Sequence, residues 1–456
     1  MAIKKAVGAN LLLISLTISG SALASVTAEE AARLDGDLTP MGAERAGNAD
    51  GSIPEWTGGL QGPPEGISIG ENLHRPDPFA NDEVLFTITS DNYLDYADSL
   101  MPSSVSLFEN VPGFYMNVYP SRRSCSLPQF VYDSIRQNAL NADLVSDGNG
   151  VSGATMATPF PFPTEGQHVV WNHTLRYRGF RSLRQFASAA PSNSGDFTPV
   201  IVQDQAVFLY SDPNLENFDD LNNISLKYLQ TVIAPSRRAG AIILVHETIN
   251  QGAGARNAWT YNPGMRRVRR APTIAYDNPQ SYSDGLSTAD QLDMYNGSPD
   301  RYEWVLVGKD EYIIPYNVYD LASPEHQYTD IATPGHINQD LIRYERHRVW
   351  TAEGNLVDGA RHIYSRRVHF HDEDTYQIVG AQLYDSRGEL WRIMEAYMIN
   401  FYDVPLCFTI GEISYDLQNG RYSVQGLVNQ EPGIDFEGTF TEGDFNPDAM
   451  RRGGIR

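Results

Sequence analysis

The chain has 456 residues, 41% of them hydrophobic and 11% aromatic, with 34 Lys and Arg against 57 Asp and Glu for a formal net charge of −23. That apolar content excludes a disordered chain, and the acidic balance excludes general affinity for nucleic-acid backbones or anionic membranes, whose phosphates Lys and Arg must neutralise. Length alone leaves open one large β-rich domain or several smaller ones.

Lys4 and Lys5 precede the apolar run ANLLLISLTISG and then Ala22-Leu23-Ala24, the small-residue pattern read by signal peptidase. Residues 1–24 are therefore expected to be a signal peptide cleaved after Ala24. The run is too short for the alternative, a membrane anchor, and Ser25 stands where a lipid-anchored export route would need Cys. No later segment is long and apolar enough for a spanning helix. The expected product is a soluble protein of the periplasm, with an outer-membrane β-barrel as the alternative. Residues 25–80, rich in Gly, Pro and Asp, predict an extended arm rather than a domain. Within it Asn48, Asp50, Gly51 and Ile53 match the middle of a calcium loop, but Ala46 and Thr57 occupy its first and last ligand positions, so calcium is not expected.

Residues 81–456 read as one domain. Apolar spacing of three and four predicts short helices over 91–99, 128–139 and 167–177, and Pro159-Phe160-Pro161-Phe162-Pro163 is a stiff connector between the last two. From about residue 180 the period changes to two, predicting antiparallel strands. His246-Glu247 begins like a zinc-protease motif, but Asn250 stands where the second His belongs, and AIILVHETI reads as a strand.

Further along, AWTYNPGMRRVRR packs four arginines into five positions of an acidic chain. Pro263 and Gly264 predict a type II turn over 262–265, and the outgoing strand sends Arg267 and Arg269 to one face. These arginines are read as rim residues pairing with carboxylates, or as a contact for an anionic headgroup. Ser287 and Asp290 suggest a helix N-cap, and Gly308-Lys309 a hairpin between YEWVLV and EYIIPY. His369 and His371 share a strand face before Asp372-Glu373-Asp374; the reading is a solvated acidic turn, with metal binding as the minor alternative. Trp259 and Tyr261 share one strand face, as do Trp391, Ile393, Tyr397 and Ile399 of another. These faces, with the helix around Trp171 as lid, are the candidate hydrophobic cavity, and packing by the protein's own helices is the alternative. Asn419-Gly420 marks a further hairpin. Two cysteines, Cys125 and Cys407, are expected to pair in an oxidising compartment.

The ordered motifs LTPMGAERAGNADGSIPEWTGG, VVWNHTLRYRG, AWTYNPGMRRVRRAP with AYDNP, DRYEWVLVGKDEYIIPYN, HDEDTYQIVGAQLYDSRGELWR and YDLQNGRY together resemble the domain-of-unknown-function family 1329. The resemblance spans nearly all of the chain beyond residue 24. It implies kinship with Lol-type outer-membrane lipoprotein carriers, hence a β-rich α+β fold: a large half-open antiparallel β-barrel whose concave, apolar face is covered by helices. It also implies a role beside large export pumps, and it assigns no catalytic residues.

No nucleophile elbow, P-loop or dinucleotide fingerprint occurs. The expected function is that of a periplasmic carrier or chaperone for lipid, lipoprotein acyl chains or another hydrophobic molecule. Its expected partners are that cargo and an inner-membrane export pump or outer-membrane protein, without nucleic acid, cofactor or resident metal. The alternatives are an outer-membrane barrel component and an exported hydrolase lacking a recognisable motif.

Overall fold

A single sheet organises the computed structural model, which describes residues 26–271 and 276–453. The segment read as a signal peptide lies outside the described residues. Strands β1 (Phe86–Thr89) and β2 (Tyr115–Val118) open the sheet, while β3 (Asp143–Val145) and β4 (Gly150–Ser152) form a separate small hairpin. A first antiparallel meander runs through β5 (Arg181–Ala189), β6 (Val200–Val207), β7 (Ile224–Ala234), β8 (Ile242–Thr248), β9 (Asn257–Asn262) and β10 (Arg267–Arg270). A second runs through β11 (Tyr302–Pro315), β12 (Tyr344–Leu356), β13 (Arg366–Asp372), β14 (Ile378–Tyr384), β15 (Leu390–Phe401), β16 (Leu406–Asp416) and β17 (Arg421–Leu427). Pairing of β17 with β5 joins the two meanders. The path begins at β1 and ends at β10 without closing among the described residues, which makes it a half-open barrel. A parallel contact joins β12 to β2 through Tyr344 and Val118, and a parallel bridge joins Leu100 to Ile313 of β11.

Alternation of side chains gives this sheet two faces. On one lie Arg184, Asp204, Tyr228, Val245, Met394 and Glu412, linked by the register of adjacent strands. On the other lie Trp259, Tyr261, Ile393, Tyr397 and Ile413. Helix α1 (Ala28–Ala31) belongs to the arm, α2 (Pro102–Asn110) packs on β14 and β15, α3 (Gln129–Asn141) follows, and α4 (Gly166–Thr174) packs on β11 and β12. Two short helices, α5 (Tyr328–Ile331) and α6 (Pro447–Gly453), complete the set. Gly166 sets the closeness of the α4 contact: a Cβ there would lie 2.6 Å from the Trp304 carbonyl carbon.

Over residues 26–80 regular structure is limited to α1 and one 3-10 turn among the described residues. The arm is held by side chains from distant parts of the chain. Arg348 Nη1 donates to Ala46 O at 3.1 Å, Arg123 Nη2 to Glu44 O at 2.8 Å, and Arg75 Nη2 pairs with Asp403 Oδ2 at 2.7 Å.

Four local expectations are corrected. Gly308-Lys309 is no turn: β11 runs through it as one 14-residue strand, with a bulge between Leu306 and Gly308, because β12 provides an unbroken partner. The loop after Asn262 carries its left-handed residue at Arg266 (φ 50°), not at Gly264, so it is a four-residue hairpin loop rather than a type II turn; Asn262 Oδ1 accepts from Met265 N at 3.1 Å. Residues 93–99 form a 3-10 helix rather than an α-helix, with none of its seven residues buried to hold the wider helix in place. The cap near residue 287 is Thr288, closing a capping box with Gln291 on a single 3-10 turn. Helix α2 was not anticipated, although Pro102 at its first turn and the buried pair Leu107 and Phe108 are its sequence signals.

Candidate ligand cavity

Strands β5 to β8 curve around a cavity of about 200 Å³. Its floor is the first face described above, and its cover is the end of α4 with the segment 278–296. That segment is fixed over β15 to β17: Ser414 Oγ donates to Leu286 O at 3.0 Å and Gln280 Nε2 to Gln425 Oε1 at 2.7 Å. Phe186, Phe208, Tyr210, Leu226, Val245 and Leu292 are among the residues of its apolar wall.

Charged groups punctuate this wall in pairs. Arg184 Nη2 meets Asp204 Oδ2 at 2.8 Å, and its guanidinium stacks 4.4 Å from the Phe186 ring. Arg256 Nε meets Glu247 Oε2 at 2.7 Å. Arg176 and Arg178 both reach Asp293, at 2.9 Å and 2.6 Å to Oδ2, and these neighbours hold its carboxyl well below the usual range against the cost of burial. Glu412 accepts from Gln425 Nε2 at 2.8 Å; burial, then the nearby Asp293 charge, push it up to about 7. Hydrophobic and ionic side chains thus share one concave surface, the composition that suits a molecule with both kinds of group.

The residues singled out for a cavity lie elsewhere. Trp171 is buried in a satellite core with Nε1 donating to Gly148 O at 2.9 Å, and only the end of its helix, at Thr174, reaches the cavity. Trp259 and Tyr261 face away, packed against Phe440, Phe445 and Met450. Ile393, Tyr397 and Ile399 are buried in the main core on the same opposite face, and Trp391 donates to Asp416 Oδ2 at 3.0 Å. Period two assigned these residues to shared faces correctly, but the aromatic-rich face is the packed one. Arg267 and Arg269 are exposed on the edge strand β10 and form no ion pair with a carboxylate among the described residues; Arg269 Nη2 approaches Met265 Sδ at 3.8 Å.

His369 and His371 are corrected from solvated to fully buried. They belong to a ring cluster in which His371 lies 5.9 Å from His173 and His369 5.2 Å from Tyr295, behind the cavity cover. Burial pushes His371 down to about 3 and holds His173 and His369 well below their ordinary value, so all three rings are neutral. Asp372, Glu373 and Asp374 are buried too. His347, Asp372 and Asp374 stand close enough to share a cation, but both Asp374 oxygens are taken by Arg123, at 2.9 and 2.6 Å. The cluster is thereby an ion network that anchors the arm. Cys125 and Cys407 are joined by a disulfide, Cα atoms 5.7 Å apart.

A family model described as a protein of unknown function (DUF1329) matches residues 87–451. The chain belongs to the DUF1329 family. An uncharacterized protein of Pseudomonas aeruginosa is 44% identical over 438 residues, covering 95% of each chain. Among solved structures, a putative outer membrane lipoprotein-sorting protein domain from Vibrio parahaemolyticus is 15% identical and covers 63% of this chain and 98% of its own, with a TM-score of 0.44. A LolA superfamily protein from Nitrosomonas europaea is 12% identical and covers 63% and 100%, with a TM-score of 0.37.

Sequence reasoning missed the cavity's own charged residues in this DUF1329 chain. Arg176 and Arg178 sit in the motif HTLRYRG, and Arg184 interrupts the strand RSLRQFASA. A charged residue inside a strand, flanked two residues away by Ser182 and Phe186, was the available signal; its partner Asp204 becomes visible only with the register of β5 and β6.

Proposed function

We propose that this DUF1329 protein is a binding protein for a hydrophobic or amphipathic molecule, held in the cavity between β5–β8 and the 278–296 cover. The cavity carries the reading: it is concave, mostly apolar, and lined by aromatic rings beside fixed ion pairs. Among its described lining residues are serines and carboxylates but no His or Cys, so a nucleophile there would lack the histidine partner of a triad. A carrier role fits this wall better than hydrolysis. Export through a cleaved signal peptide and residence in the periplasm, supported by the amino-terminal sequence, complete the proposal, together with the service to an export pump or outer-membrane protein that the family resemblance implies. Both sheet faces are packed by the chain's own segments, which speaks against a lipid-facing barrel wall.

An environment-sensitive apolar fluorophore tests the binding step. It should bind with micromolar affinity and be displaced by lipid, and native mass spectrometry of protein released gently from its own cell envelope should show a co-purified adduct. A folded protein that binds no fluorophore and carries no adduct removes the reading. Recovery of mature protein only from the membrane fraction removes the periplasmic part of it.

A further inference from the structure

The charges of the cavity wall do not balance by pairs. Arg184 has Asp204, and Arg256 has Glu247. Arg176 and Arg178, however, share the single carboxylate of Asp293. Arg176 takes it with both terminal nitrogens and also donates to His173 O at 2.6 Å. Arg178 has one strong contact, Nη1 to Asp293 Oδ2 at 2.6 Å; its Nη2 reaches only Thr174 O at 3.3 Å, and its buried Nε meets no acceptor among the described residues. It lines the cavity with 15% of its side chain exposed, against 5% for Arg176. The Phe208 ring, 4.6 Å below its guanidinium, fixes the plane of the fork. The remaining carboxyl on the wall, Glu412, bonds amides rather than a guanidinium. Burial, opposed by Asp293 and aided by the Arg176 charge, brings Arg178 down to about 10.

A buried guanidinium without full compensation is costly, and a ligand anion that supplies the missing oxygens binds there with charge-assisted hydrogen bonds. Apolar side chains occupy the rest of the wall. We propose that the cavity takes a single-chain amphiphile with an anionic oxygen head, carboxylate or phosphate, and that the head docks on Arg178 while the chain lies along Phe186, Phe208 and Val245. This rests on the binding-protein reading and adds the class of ligand.

The test uses the full mature protein, stripped of lipid, with a bound apolar fluorophore displaced by four ligands of one chain length: oleate, oleoyl lysophosphatidate, oleyl alcohol and oleylamine. Oleate or lysophosphatidate should displace at concentrations at least about tenfold below the alcohol, and the amine should be weakest. Preference for oleate alone assigns a fatty-acid head, for lysophosphatidate alone a phospholipid head, and both results support the inference. Arg178→Gln should bring the anions to the level of the alcohol and leave the alcohol unchanged, with Arg178→Lys intermediate. Equal displacement by acid, alcohol and amine in the unaltered protein overturns the anionic head and leaves the carrier reading standing; failure of the fluorophore itself to bind overturns both. The four-ligand comparison in the unaltered protein decides the matter even where Arg178→Gln fails to fold.

Discussion

Arg184 and Asp204 are register partners on β5 and β6, joined at 2.8 Å on the cavity wall with the carboxylate 3% exposed. Removing one member strands the other charge in a low-dielectric wall. Asp204→Ala should cost about 3 kcal/mol of stability, read as a fall in thermal and urea midpoints. The double replacement Arg184→Met with Asp204→Leu should recover most of it. A single variant as stable as the parent would mean that water reaches the pair freely.

Because the cavity lies on the face opposite Ile393, substitutions on the two faces should separate binding from folding. Val245→Trp should fill the cavity and abolish fluorophore binding, with the circular dichroism spectrum and thermal midpoint changed little. Ile393→Glu buries a carboxylate in the main core and should unfold the protein or lower its stability by several kcal/mol. Loss of binding in a fully stable Ile393→Glu protein would place the ligand on the other face.

The disulfide closes a span of 282 residues. In the chain-entropy account, a cross-link over a loop this long stabilises by about 5.6 kcal/mol at most. Cys407→Ser should therefore lower the thermal midpoint markedly, reductant should do the same to the parent, and alkylation without reductant should label neither cysteine. Equal midpoints with and without reductant would show that the bond contributes nothing.

Glu395 is buried on β15, with Oε2 accepting from Tyr397 at 3.1 Å and Tyr344 beside the carboxyl. Burial pushes its carboxyl from the ordinary 4.5 up to about 7. Between those values the folded protein keeps a proton that the unfolded chain has released, so this group's contribution to stability falls as pH rises from 4.5 to 7 and is level above. Glu395→Gln should gain relative to the parent over that window, by roughly 3 kcal/mol at most. Denaturant melts at pH 5 and pH 8 check it; a parent-minus-variant difference independent of pH would place an ordinary carboxyl there.

Strand faces were legible in the sequence because alternation is local: Trp259 with Tyr261, and Ile393 with Tyr397, do share faces. Which face encloses a cavity was not, because that depends on where segment 278–296 and residues 440–450, tens to nearly two hundred residues away in the chain, come to rest. An aromatic stripe signals burial, and burial is most complete where the protein supplies its own cover. The same logic explains His369 and His371. Next to three acidic residues they read as solvated, yet His347, Arg123 and Lys309 enclose the acids from other elements. The hairpin at Asn419-Gly420 succeeded and the one at Gly308 failed for a related reason: a glycine inside a strand turns the chain only where no longer partner strand holds it straight.

The arm has a consequence in time. Its anchors, Arg348, Asp403 and the backbone of Gly433, which accepts no Cβ beside Leu73, are all made more than 300 residues after the arm itself begins at residue 26. A chain synthesised from its amino end therefore has only its early partners, Arg123 among them, to hold its first fifty-odd described residues until most of the strands have appeared. Folding cannot be completed piecemeal from the front. Such a chain stays threadable while it is being made, and locks only when its two ends meet.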